Sequence, residues 1–183
     1  MTHPPEPTIA CGACTLRPFR AADLEELVAL ANNEKVSAML RDRFPFPYTR
    51  ADGEAFLADT LAPRGDWRLA IEVDGRLAGS IGFRRGEDVH RHSAEVGYWL
   101  GEPYWGRGIL ADALCVATPA AMQAFALYRV HAGVYSGNPA SRRVLEKAGY
   151  AFEGTHAAAV FKRGRLYDIH VYARVRRSLD DAA

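Results

Sequence analysis

The stretch that most limits the fold runs from Ser93 to Leu127. Ser93–Leu100 alternates at the two-residue period of a strand, Gly101, Pro103, Gly106 and Gly108 then break the chain, and an Ala-rich helical run follows. A strand that feeds a helix through a short glycine loop belongs to a fold with helices laid on a sheet. Asp112, Thr118, Pro119 and Gln123 interrupt the helical run, and much of the rest is alanine. It therefore reads as a buried helix and not as a membrane span, which needs ~20 strongly apolar residues. Pro119 is expected to kink it, because proline removes a backbone donor and crowds the preceding turn.

The same periodicities organise the rest. A strand is expected over Thr15–Phe19, helices over Leu24–Ala31, Glu34–Leu40 and Ala51–Leu61, and strands over Trp67–Val73 and Leu77–Phe83. Asp74-Gly75 between the last two is a type I′ hairpin signal. A strand over Tyr128–Tyr135, a helix over Ala140–Ala148 capped by Gly149, and strands over Tyr150–Thr155 and Leu166–Val175 complete the order. This is a mixed α/β sheet with helices on its faces, not a doubly wound repeat. The chain of 183 residues suits one domain over 15–175. Residues 1–14, with Pro4, Pro5 and Pro7, read as a flexible tail, and 176–183 as a short C-terminal tail.

Lys plus Arg total 23 and Asp plus Glu 22, a formal charge of +1, so no general basic field gathers DNA or anionic membrane. Cys11, Cys14 and Cys115 are too few for a disulfide scaffold. Cys11 and Cys14 form a lone CxxC with no second Cys or His pair, so they read as two unlinked thiols, and no metal is expected. With no apolar secretion segment, a reducing, cytoplasmic setting is expected.

The chemistry concentrates in two blocks. In Tyr98-Trp99-Leu100-Gly101-Glu102-Pro103-Tyr104-Trp105-Gly106-Arg107-Gly108-Ile109-Leu110, two glycines allow close backbone approach and Arg107 adds charge. The first helical turn presents free amides and a positive dipole end, an anion site suited to a pyrophosphate. A P-loop is excluded because Ile109-Leu110 follows the glycines, and a dinucleotide fingerprint lacks its third glycine. In Gly137-Asn138-Pro139-Ala140-Ser141, Asn138 is placed as helix N-cap with Pro139 at the first helical position.

Together these blocks resemble the GNAT acetyltransferase superfamily, and within it the RimJ/RimL type, which acetylates protein N-terminal amines. Leu16-Arg17-Pro18-Phe19-Arg20-Ala21-Ala22-Asp23 and Asp168-Ile169-His170-Val171-Tyr172 are similar to that type's opening and closing segments. The resemblance implies a mostly antiparallel twisted sheet of about six to seven strands, helices on both faces and a splayed central strand pair. It implies acetyl-CoA bound by the loop of Trp105, Gly106, Arg107, Gly108, Ile109 and Leu110, with the backbone of Tyr98, Trp99 and Leu100 pairing with the pantetheine arm. Asn138 would contact that arm and Ser141 would lie near the thioester sulfur. Many members carry a general-acid Tyr four residues after Ser141, where this chain has Leu145.

The expected reaction is direct attack of a primary amine on the thioester, which requires orientation, oxyanion donors, a proton path and a proton for the thiolate. Ser141 is expected to supply that last proton, and Glu95, on the cofactor strand, is the expected base acting through water. His90 and His92 are alternative bases. The acceptor side is expected around Arg43, Phe44, Phe46 and Tyr48, with His92 at its edge; its arginines suit an acidic group. The acceptor is a peptide N-terminus, including that of a ribosomal protein, or a small amine, and a homodimer is an open arrangement. Two other readings are a non-catalytic acyl-CoA-binding module, to which the missing Tyr gives room, and an RNA- or ribosome-associated protein, which the balanced charge disfavours.

Overall fold

The computed structural model describes residues 8–62 and 66–177. It begins with a hairpin that the sequence did not signal. Ile9–Cys11 (β1) and Cys14–Arg17 (β2) pair antiparallel about Gly12 and Ala13. The expected loose tail is therefore corrected from Ile9 onward, and at the other end Arg176 is bonded to the carbonyls of Tyr128 and Leu127; residues 1–7 and 178–183 of the two expected tails lie outside the described residues. Cys11 and Cys14 are also not two unlinked thiols. They are register partners joined by a disulfide, with Cα atoms 5.1 Å apart, because a two-residue turn sets both side chains on one face at bridging distance.

Three helices follow: Leu24–Ala31 (α1), Glu34–Ala38 (α2) and Arg50–Leu61 (α3). Asn33 caps α2, and Thr49 with Asp52 forms a capping box on α3. Next come Trp67–Val73 (β3), Arg76–Arg85 (β4), Ser93–Leu100 (β5), Ile109–Ala124 (α4), Arg129–Tyr135 (β6), Pro139–Lys147 (α5), Ala151–Lys162 (β7) and Arg165–Val175 (β8). The β3–β4 turn places Asp74 at φ 51° and Gly75 at φ 77°, the conformation its sequence signals. The helix α4 continues through Pro119. The strand β7 runs seven residues beyond the expected Thr155, through a register irregularity between His156 and Val160.

Among the described residues the sheet has eight strands in the order β1-β2-β3-β4-β5-β6-β8-β7, and only β5–β6 is parallel. β1 raises the count above expectation. Alternation along the strands splits the core in two. Ile71, Ile81, Phe83 and Val96 face α4, while Ala70, Leu77 and Trp99 face α1–α3. Arg17, 3% exposed, takes Asp23 with two 2.8 Å bonds and also holds Glu72, tying β2 and β3 to the turn before α1. At the other edge Lys162 donates to the Leu40 carbonyl at 2.5 Å and to Asp42 at 3.0 Å, and Arg163 binds Glu34 and Ser37. The tip of the β7–β8 hairpin is thereby fastened to α2 and the segment after it.

One interruption positions the site. β5 pairs with β6 only through Ser93–Glu95 against Arg129–His131. β4 stays paired with β5 as far as Leu100, and β8 with β6 as far as Tyr135. The two strands therefore part after Glu95 and His131, leaving a wedge between Val96–Leu100 and Ala132–Tyr135; the expected splayed pair is β5 and β6. No helix among the described residues is long and apolar enough to cross a membrane.

Candidate active site

A cleft of about 2000 Å³ passes through the wedge and opens on both faces of the sheet. On the α4–α5 face lies the glycine loop. Gly106 at φ 76° and Gly108 at φ 78° take a conformation that side chains disfavour, and a Cβ on either would meet open space. Among the described residues, the amides of Gly106, Arg107, Gly108, Ile109 and Leu110 donate to no protein acceptor. Five free donors at a helix N-terminus are an arrangement that suits an anion, and the glycines face open space. Trp105 is 45% exposed, and its indole donates to the Leu100 carbonyl at 2.7 Å, fixing the loop to the end of β5. Arg107 lies 5.7 Å over the Tyr104 ring, which keeps its charge at the loop. Ile109 and Leu100 are buried, so what they offer the cleft is backbone. Trp99 turns to the opposite face and packs edge-on against Phe44 at 5.4 Å.

One hydroxyl pair in the cleft was not legible in sequence. The Tyr98 hydroxyl and the Ser141 hydroxyl share a 2.8 Å hydrogen bond between β5 and α5. Alternation puts Tyr98 opposite to Trp99, which could have aimed it at α5, but no local signal pairs residues so far apart in the chain. Burial pushes the Tyr98 phenol well above its ordinary value, and the bond with Ser141 offsets this only in part, so Tyr98 keeps its proton at neutral pH. Asn138 accepts from the Ser141 amide at 3.1 Å and holds the first turn of α5, as its cap position predicts. Leu145 is fully buried in the core and reaches neither face of the cleft.

On the α1–α3 face, Glu95 is clasped by two guanidiniums. Arg84, its register partner on β4, holds one oxygen and Arg41 the other. His131, the register partner of Glu95 on β6, is half-buried and lines the cleft. Burial, then the charge of Arg129, hold its imidazole below 6.5, so it is neutral at pH 7. Gly82 and Gly97 oppose each other in register; Gly97 faces open space, while the Arg68 side chain lies over Gly82. Arg43, Phe44 and Tyr48 line the cleft as expected. Two expected residues do not. Phe46 is turned outward, 45% exposed beneath Arg163. His92 sits before β5, at the paired end of the sheet and away from the wedge; its Nδ1 lies 2.9 Å from the Ala126 carbonyl and its ring packs against Tyr128. Among the described residues no group of three or more His, Cys, Asp and Glu is placed to hold a metal ion.

A family model for the acetyltransferase (GNAT) domain matches residues 14–151. An uncharacterized N-acetyltransferase of Bacillus subtilis, YoaA, is 27% identical over 93% of this chain and 97% of its own. The ribosomal-protein-serine acetyltransferase of Escherichia coli is 33% identical over 57% of this chain and 58% of its own length. Among solved structures, RimL, the ribosomal L7/L12 alpha-N-protein acetyltransferase in complex with coenzyme A, superposes with a TM-score of 0.81 at 22% identity, over 93% of this chain and 97% of that one, and so shares its fold. With the splayed sheet and the free amides of its glycine loop, these matches place the chain in the GNAT acetyltransferase family, as an N-acetyltransferase that draws its acetyl group from acetyl-CoA.

Proposed function

We propose that this chain acetylates a primary amine, either a peptide N-terminal α-amine in the RimJ/RimL manner or a small amine, by direct attack on the thioester. The observation that carries this reading is the wedge between β5 and β6, with five free amides at one mouth and the open face of Gly97 at the other. Bound acetyl-CoA supplies an activated acyl carbon and a thiol whose ordinary pKa, ~8.5, makes it an undemanding leaving group. The amides of Gly106–Leu110, with the charge of Arg107, hold the diphosphate. The unpaired edge of Tyr98, Trp99 and Leu100 aligns the arm and turns free amides toward the charge that gathers on the acyl oxygen. Asn138 keeps the α5 turn in place beside the arm. Ser141 gives the departing sulfur its proton, and Tyr98 orients the Ser141 hydroxyl.

The proton released by the amine goes to His131 rather than to Glu95. Both oxygens of Glu95 already accept from guanidiniums, so its part is to hold Arg41 and Arg84 in place. Arg43, Phe44 and Tyr48 border the acceptor. The name of the Escherichia coli relative, a ribosomal-protein-serine acetyltransferase, supports a protein acceptor. Acetyl-CoA is an intracellular metabolite, which supports action in the cytoplasm. The non-catalytic alternative rested on Leu145, and Tyr98 brings a phenol to the Ser141 hydroxyl without it.

Release of free thiol from acetyl-CoA, followed with a panel of peptides and small amines and paired with mass detection of the acetylated product, tests this function. Amine-dependent release with an acetylated product is expected. Tight coenzyme A binding with no amine-dependent release across the panel would instead return the chain to the non-catalytic class.

A further inference from the structure

Where the acceptor must lie, guanidiniums outnumber the carboxylates that face them. Arg41 and Arg84 share a single partner, Glu95. Arg68 is engaged by Asp59 at 2.5 Å, with Thr60 and Asp66 beside it. Arg43 lines the same cleft, yet among the described residues it makes no hydrogen bond or ion pair. Arg43 is exposed at the cleft, and desolvation, then the like charges of Arg41, Arg84 and Arg68, opposed by the attraction of Glu95, hold its guanidinium below its usual value. A cation crowded by cations and lacking its own carboxylate is relieved when an anion binds. The planar fork of arginine matches the two oxygens of a carboxylate. Beside this cluster, a Cβ on Gly97 would meet nothing within 4 Å, so the sheet there leaves space for a ligand, with the Arg68 stem over Gly82 at its edge.

We propose that the acceptor is a primary amine that carries a carboxylate, which Arg43 binds while the molecule rests over Gly97 with its nitrogen directed into the wedge. This rests on the acetyl-transfer reading above. In the transfer an N–C bond forms to the acyl carbon and the C–S bond breaks. The nitrogen gives up one proton, and the sulfur leaves as a thiol. The surrounding positive charge also favours the neutral, nucleophilic amine over the ammonium. It disfavours polycationic amines by like-charge repulsion.

The carboxylate has two sources, a free amino acid or an acidic side chain near a peptide N-terminus. Both are tested by measuring kcat/KM for thiol release with β-alanine, glutamate and a peptide with aspartate at its second position. Each is set beside its carboxamide, and spermidine is the cationic control. Each carboxylate is expected to exceed its carboxamide about ten- to hundredfold. Arg43→Gln should bring that ratio toward one, mainly through KM. Preference for the free acids over the peptide identifies an amino acid, and the reverse identifies an acidic N-terminus. Equal rates for acid and amide, a preference for spermidine, or an unchanged ratio in Arg43→Gln overturns the proposal while leaving acetyl transfer intact. If no amine releases thiol, propionate and glutarate are titrated into the coenzyme A complex by calorimetry. Binding that Arg43→Gln abolishes keeps the carboxylate site and removes the transfer reading; no binding removes both.

Discussion

Tyr98 and Ser141 share one hydrogen bond, and groups in such contact give non-additive losses when removed. Ser141→Ala should lower kcat by about a hundredfold and Tyr98→Phe by about tenfold, with little change in coenzyme A affinity. The double variant should be no worse than Ser141→Ala alone, and full additivity in a double-mutant cycle would separate the two roles. His131 bears on pH. Its folded value lies below 6.5, so the unfolded chain takes up a proton more readily. The stability it contributes is fully present above pH 6.5 and is lost as pH falls through the lower folded value. A melting series from pH 7 to 5 should therefore decline less steeply in His131→Gln than in the parent, and the acid limb of kcat/KM should change shape. Identical melting curves and identical rate profiles would remove His131 from both accounts.

The ends of β4 and β5 approach so closely that a Cβ on Gly79 would stand 2.2 Å from the Trp99 carbonyl oxygen. Gly79→Ala should cost roughly 1–3 kcal/mol by overpacking and lower Tm by about 5 °C, read by thermal unfolding. Gly97→Ala, whose Cβ meets nothing within 4 Å, should fold normally and act on the acceptor KM. Elements whose ends are written in local chemistry were legible in sequence: Asp74-Gly75, Asn138-Pro139 and the Gly149 cap at φ 79°. β1 escaped because three residues carry no period. The second half of β7 escaped because nearly every residue there is exposed, so no alternation marks it, and pairing with β8 makes it a strand. The glycine loop of the site was legible for the same local reason. The Arg41–Glu95–Arg84 clasp, the Tyr98–Ser141 bond and the reach of Lys162 to Leu40 depend on sheet register and chain return, which no short window of sequence contains.

At the scale of the molecule, three register pairs between β5 and β6 join two half-sheets. A ligand that spans the wedge binds the folded chain alone and stabilises it by mass action. Coenzyme A at a hundred times its Kd should add about 2.7 kcal/mol and raise Tm by roughly 5–10 °C, measured by scanning fluorimetry. Gly108→Val, which puts a branched side chain at a left-handed position among the free amides of the loop, should abolish that rise. The wedge also has a kinetic meaning. Because it is open on both faces, each reactant has its own doorway, and neither has to leave before the other arrives. Turnover should thus require both to be resident together, and double-reciprocal plots at several fixed donor concentrations should intersect rather than run parallel.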